Sequence, residues 1–145
     1  MTKHDVEAEA RGAYVVLSQY MPHRWRLRKI RVVKVMRASL AACDFDPGAD
    51  GGPCMDIRIG LNALKPDTWR DQVWTRIAHE LYHACVKSEE EELLRQDEAD
   101  YSIYVDKLVE RSAEVVEGVV LWARQNSYRA FLASQSDGNK HVEAM

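Results

Sequence analysis

The segment TRIAHELYHACVKSEEEELLRQDEAD, Thr75–Asp100, is the part of the chain from which the fold is best read, because it contains the pattern H-E-x-x-H. In a helix, residues four apart lie one turn apart on the same side, so His79 and His83 project together. Two imidazole nitrogens spaced in this way can bind one Zn²⁺ at about 2.0–2.1 Å. Glu80 lies roughly 100° further round the helix, where a general base can reach a water on the metal without being a ligand.

The apolar residues of this helix predict which side is buried. On a helix over 68–87, one broad arc carries Val73, Trp74, Ile77, Ala78, Leu81, Ala84 and Cys85. Both histidines lie on the other side, so an anchored backbone would hold the two imidazoles in one direction. The alternative is that the histidines are ordinary polar residues on a solvated face, and the residues that follow them favour the metal site.

Those following residues predict a second helix and a third ligand. Ser88 and Glu91 form an S-x-x-E capping box, which predicts a turn after Lys87 and a new helix that runs back along the first. A carboxylate within a buried stripe needs a partner, and Glu98 occupies such a position, so it is the predicted third ligand, with Asp97 as the alternative. Two histidines and one glutamate leave a fourth position for water, as in a catalytic zinc site. The stripe consists of Leu94, Glu98, Tyr101, Val105 and Leu108.

The rest of the sequence predicts an α+β fold. A helix is expected over 5–20, strands with an irregularity near Lys29 are expected over 24–45, and a helix over 30–40 is the alternative there. A turn over 46–53 precedes the alternating strand CMDIRIG. The predicted architecture is an N-terminal helix, a small mixed or antiparallel sheet, the H-E-x-x-H helix and a following helix that supplies the third ligand. The expected domain is 1–133, with a disordered tail over 134–145.

Three stretches, IRIGLNAL, RIAHELYHA and DEADYSIYVDKL, resemble the small gluzincin-type metallopeptidases, with the ImmA/IrrE-like and phage-encoded H-E-L-x-H proteins nearest. The resemblance covers Met55 to Leu108. It implies a minimal zincin-like fold, Zn²⁺ as cofactor and a protein or peptide as substrate, with Glu80 as the catalytic base. It also implies that an edge strand over 56–61 holds the substrate as an added strand. A weaker resemblance to SprT-like proteases depends on IGLNALKPDTW, but no third histidine follows His83 in the expected place.

The resemblance leaves the group that would stabilise the transition state unassigned. Tyr82, Tyr101 and Tyr104 are the candidates in the sequence, although aromatic residues at helical spacing usually pack in a core. A catalytically silent, metal-stabilised interaction module is therefore one alternative to a peptidase. The oligomeric state is not predicted.

The composition of the chain bears on nucleic-acid binding, on membrane insertion and on the role of the cysteines. A net charge of -3 gives no general attraction to nucleic acid, although the stretch 24–37 contains seven Lys or Arg residues. A nucleic-acid-associated, SprT-like role is thus a further alternative, and protection of a sheet edge is the favoured reading of that stretch. No apolar run is long enough for a membrane span and no signal-peptide pattern is present, so a cytoplasmic protein is expected. Three cysteines do not form a disulfide framework, and Cys43 and Cys54 are expected to be core residues rather than a metal pair.

Overall fold

The computed structural model describes the backbone of residues 1–37, 39, 41–95 and 99–144, and the side chains of 1–37, 39, 41–91 and 103–126. Within these residues the chain is α+β, with three α-helices and one mixed three-stranded sheet. In chain order the elements are α1 (Lys3–Ser18), β1 (Arg26–Val33), β2 (Ala41–Asp46), β3 (Cys54–Gly60), a short 3-10 turn (Leu61–Ala63), α2 (Trp69–Arg95) and α3 (Ala99–Ala144).

The central strand of the sheet is β3, which pairs parallel with β1 and antiparallel with β2. The turn between β2 and β3 contains Gly51 and Gly52, with φ of 83° and 105°, where side chains are disfavoured. The register of β1 shifts between Leu27 and Lys29, which confirms the predicted irregularity. The alternative helix over 30–40 is wrong, because residues up to Val33 belong to β1.

The core lies between the sheet and the helices α1 and α2. The predicted burial of Met55, Ile57 and Ile59 is confirmed, since all three are fully buried. The predicted half-buried alternation is wrong, because Cys54, Asp56 and Gly60 are buried too, as suits a strand that is paired on both sides. The predicted arc of α2 is also buried along most of its length, which fixes the rotation of that helix about its own axis. The principal core residues of the two helices are Val6, Ala10, Ala13, Val73, Ile77, Ala78, Leu81 and Ala84.

Helix α2 continues past the position where the sequence predicted a turn. Ser88 and Glu91 lie inside a helix that ends at Arg95, so the predicted capping box is wrong. Glu and Leu are strong helix formers, and the run after Ser88 therefore extends the helix already present. Helix α3 then returns antiparallel to α2, because Arg124 Nε lies 2.7 Å from Asp71 Oδ1 near the start of α2. The predicted burial of Leu108 is also wrong, since that residue is 52% exposed.

Helix α3 runs to Ala144 and so includes residues 134–144 of the predicted tail. The side chains of that stretch lie outside the described residues, and the domain boundary at 133 stays a prediction. In the described part of the chain, none of the helices combines the length and the apolar composition that crossing a bilayer requires.

Candidate metal centre

The two histidines of the H-E-x-x-H pattern face α3 from the middle of α2. Their direction follows from the buried side of the helix, where Val73, Ile77 and Leu81 are fully enclosed. His79 is 8% exposed, and its Nε2 atom lies 3.1 Å from Nε2 of His83. The predicted convergence of the two imidazoles is therefore present in the structure.

Glu110 of α3 forms with these histidines a three-ligand group, a set of three side chains that could together bind a metal ion. Its Oε1 lies 2.9 Å from His79 Nε2, and its Oε2 lies 3.2 Å from His83 Nε2. One ligand atom from each of the three residues lies within 4.8 Å of the others. Three ligands at 2.0–2.1 Å in tetrahedral geometry are separated by about 3.3 Å, so the observed separations fit a zinc-sized cation closely.

The predicted third ligand, Glu98, lies outside the described residues, as does its alternative Asp97. The expectation that Glu98 reaches the histidines depended on a turn directly after Lys87. Since α2 continues to Arg95, twelve residues beyond His83, the helix extends about 18 Å past that ring before the chain turns. Glu110 lies on the returning helix at the level of the rings, and sequence reasoning missed it.

Glu117 orients the first histidine from its second nitrogen. Nδ1 of His79 contacts Glu117 Oε1, and because a carboxylate only accepts, Nδ1 is the donor. In a neutral imidazole this leaves the lone pair on Nε2, directed toward Glu110 and His83. Arg76 Nη1 lies 3.5 Å from the same oxygen of Glu117 and helps to hold it. A carboxylate behind a metal-binding histidine is a common arrangement in zinc sites.

The charges around the rings show why a cation suits this position. Burial lowers the pKa of His79, but the hydrogen bond that the imidazole donates to Glu117 and the negative charge of Glu110 outweigh burial, so the pKa of this imidazole is raised. Burial and the neighbouring His79 lower the pKa of His83. Two imidazoles and a carboxylate thus place their lone pairs and a negative charge at one point. A proton or a metal ion bound there would be stabilised by them.

Glu80 lies in the same cleft but takes no part in the three-ligand group. Glu80 is 6% exposed, and its burial is the largest cause that raises its pKa, to about 7. Among those charges, His79 and Arg76 lower its pKa, whereas Glu110 and Glu117 raise it. A carboxyl group with this pKa can exchange a proton near neutral pH. The cleft has a volume of about 370 Å³ and is lined by Ser39, Ala41, Ala42, Cys43, Phe45, Arg76, His79, Glu80, His83, Lys87, Glu90 and Glu110.

Strand β2 forms one wall of this cleft, which corrects the predicted position of the edge strand. The sequence placed that edge at 56–61, but β3 is paired on both sides and has no free edge. Strand β2 pairs only with β3 among the described strands, and Ala41, Ala42, Cys43 and Phe45 on it line the cleft. Among the described strands, β2 is therefore the one that both lines the cleft and has an unpaired edge.

Among the described side chains, no cysteine or tyrosine belongs to the group formed by His79, His83 and Glu110. The side chain of Tyr101, one of the predicted candidates, lies outside the described residues. Cys43 pairs with Ile57 across the hairpin and Cys54 with Asp46, so the two thiols do not face each other, and both are free. Burial raises the pKa of the Cys43 thiol, which makes it a poor ligand. The described residues that line the cleft include no tyrosine, and its cationic side chains are Arg76 and Lys87.

Comparisons with protein-family models, with curated proteins and with solved structures found no match to this chain. The assignment of the centre therefore depends on its own geometry and chemistry.

Proposed function

We propose that this protein is a zinc-dependent peptidase with a minimal zincin-like fold, in which His79, His83 and Glu110 bind the metal. The observation that carries the proposal is the convergence of two Nε2 atoms and one carboxylate at separations of 2.9–3.2 Å. Imidazole and carboxylate ligands suit Zn²⁺, although they do not exclude other divalent ions. The resemblance to gluzincin-type metallopeptidases supports the same chemistry.

Zinc bound by such a ligand set supplies a Lewis acid and lowers the pKa of a bound water to about 7. Glu80 is the proposed general base. Its burial holds its pKa near 7, so it would accept a proton from the water whose oxygen attacks the peptide carbonyl carbon, and would return that proton to the amine nitrogen as the C–N bond breaks. Arg76 and Lys87 line the same cleft and are the proposed groups for stabilising negative charge on the carbonyl oxygen.

The proposed substrate is an extended segment of a protein, bound along the edge of β2. A free strand edge offers unpaired backbone donors and acceptors, and a peptide that adds there pairs with them as a further strand. Because Ala42 and Cys43 lie on the strand that borders the cleft, such a peptide would run past Glu80. The aromatic ring of Phe45, with Lys87 Nζ 5.1 Å from its centre, would contact one of its side chains.

The test compares the wild-type protein with Glu80→Gln at equal zinc content. The wild type should cleave an unfolded protein such as casein, or a mixture of fluorogenic peptides, and a chelator should abolish the cleavage. Glu80→Gln should retain zinc and lose at least 100-fold in rate, because a general base contributes about that much or more. Equal rates in the two proteins would refute the role of Glu80.

A catalytically silent, metal-stabilised module is the second candidate. It is favoured by one observation, namely that the three ligands connect α2 to α3 and would hold the helices together whether or not a substrate binds. Full zinc occupancy, a large thermal stabilisation by zinc and no cleavage of any substrate in the mixture would support this candidate over the peptidase.

A nucleic-acid-associated role receives less support. The basic stretch contains Arg28, whose guanidinium donates two hydrogen bonds to Asp56, at 3.1 and 2.8 Å, and also lies 3.6 Å from Asp46. Arg26 donates to the backbone oxygen of Asp50. Arginines that are already paired with acids and carbonyls within the sheet have less to offer a phosphate backbone.

A further inference from the structure

Helix α3 has an exposed apolar stripe on the side that faces away from the metal centre. On a helical wheel its members fall within about 60° of one another, and roughly opposite Glu110 and Glu117. The stripe extends over 19 residues, from Tyr104 to Trp122, or about 27 Å. It consists of Tyr104, Leu108, Val115, Val119 and Trp122, which are 62%, 52%, 67%, 60% and 65% exposed.

This stripe is unusual for a surface helix. Single exposed apolar residues are common, but a row of five on one face of a helix, with an aromatic residue at each end, is typical of an interaction site. The core already takes up Ala113, on the side of α3 opposite the stripe, and Val105, between that side and the stripe, which are 0% and 4% exposed. The stripe is therefore a second apolar face, on a helix that already packs another face against the core.

We infer that the stripe is a dimer interface, in which α3 packs antiparallel against α3 of a second copy of this chain. The charges along one border of the stripe favour this partner. Arg111 and Glu114 are both exposed and lie on the same border. With a two-fold axis at the level between residues 112 and 113, each Arg111 faces Glu114 of the second copy, and the contact occurs twice.

The ends of the stripe match under nearly the same axis, at the level of residue 113. Tyr104 then lies opposite Trp122 at both ends of the interface, Leu108 lies opposite Gly118 and one residue from the level of Val119, and Val115 lies opposite Arg111. A β-carbon built on Gly118 meets no atom within 4 Å, so this glycine leaves a shallow recess on an exposed helix. A parallel pair in register would instead set the two Gly118 residues against each other and leave that recess unfilled.

The area is sufficient for a specific interface. Five side chains that are each more than half exposed, two of them aromatic, offer on the order of 500 Å² per copy. The pair would bury about 1,000 Å², which is the lower limit for a specific contact. A moderate affinity, in the micromolar range, is therefore expected.

The test measures the mass of the full chain by sedimentation velocity over a micromolar concentration series. The wild type should form dimers, and Leu108→Glu should give monomers because it places a charge within the stripe, where it would be buried in the interface. Val15→Glu is the matched control, since Val15 is 61% exposed on α1, and it should leave dimerisation unchanged. Circular dichroism and zinc content, equal in all variants, verify that the fold is intact.

A charge exchange tests the antiparallel arrangement. Arg111→Glu and Glu114→Arg should each weaken the dimer about tenfold, because each places like charges together twice. The double variant should regain the wild-type dissociation constant. A monomer at every concentration, a dimer insensitive to Leu108→Glu, or a double variant no better than the single ones would each overturn the inference.

Discussion

Replacing Glu110 with alanine should remove the metal while leaving the fold intact, and Glu98→Ala is its matched control. Both residues are glutamates after the H-E-x-x-H pattern, and the sequence favoured Glu98. In the structure Glu110 lies 2.9 and 3.2 Å from the two Nε2 atoms. Its side chain is 52% exposed, so alanine leaves no cavity and no unpaired buried charge at that position.

The expected loss follows from the role of a direct ligand. Changing a residue that only supports a ligand costs about 10–100-fold in metal affinity, and loss of one ligand in three should cost at least the upper figure. A 100-fold loss corresponds to about 2.7 kcal/mol of binding free energy. At saturating zinc, the same amount is lost from the zinc-dependent stability, or about 8 °C in the melting temperature of a chain of this size.

The assay is a zinc titration against a chromogenic chelator, with melting curves measured with and without zinc. Glu110→Ala should bind at least 100-fold more weakly than the wild type, and the melting temperatures of the metal-free proteins should agree closely. Glu98→Ala should bind zinc like the wild type. The reverse pattern, with loss in Glu98→Ala and none in Glu110→Ala, would refute the ligand assignment.

Three further predictions follow from the same contacts. Glu117→Ala should weaken zinc binding about 10–100-fold in the chelator titration, because His79 loses the acceptor that fixes its tautomer, and an unchanged affinity would exclude that role. Asp56→Asn should cost about 1 kcal/mol in urea unfolding at pH 7. Arg28 holds the pKa of Asp56 below its usual 3.8, so this stabilisation is present above pH 4 and disappears as the pH falls through the lowered pKa. A difference in unfolding free energy between wild type and Asp56→Asn that persists in strong acid would contradict the pairing. Leu81→Ala should cost about 2–5 kcal/mol and Val15→Ala less than about 0.5, because the first is fully buried and the second is 61% exposed, and equal losses would disprove that burial pattern.

The parts of the fold that depend on short-range periodicity were predictable from sequence. Alternation marks β3, whose residues Met55, Ile57 and Ile59 are buried as expected. Helical spacing places the two histidines together on α2. Both patterns arise within a few residues of each other, so tertiary context does not change them.

The third ligand was not predictable in the same way, because it depends on where α2 ends. The pattern S-x-x-E occurs both in capping boxes and inside helices. Here it lies inside a helix, because the residues around Glu91 are strong helix formers. Moving the turn from residue 88 to beyond Arg95 changes which part of the returning helix faces the histidines. One signal was available in the sequence, namely that Glu110 and Glu117 are seven residues apart and therefore share a face of α3.

Strand order was the other feature that the sequence did not reveal. The alternation of apolar and polar residues in β3 fits an edge strand. It fits a central strand equally well if the polar side chains of that strand are paired with opposite charges. The pairing of Asp56 with Arg28 satisfies that second face, and the free edge beside the cleft belongs to β2 instead. Long-range pairing of this kind has no local pattern in the chain.

Anomalous diffraction at the zinc edge from crystals of the full chain tests the central claim most directly. One zinc ion per chain is expected, with His79 Nε2, His83 Nε2 and a Glu110 oxygen as its protein ligands at about 2.0–2.2 Å. A zinc ion bound by Glu98 in place of Glu110, or an ion at another position with the two imidazoles unligated, would contradict the account.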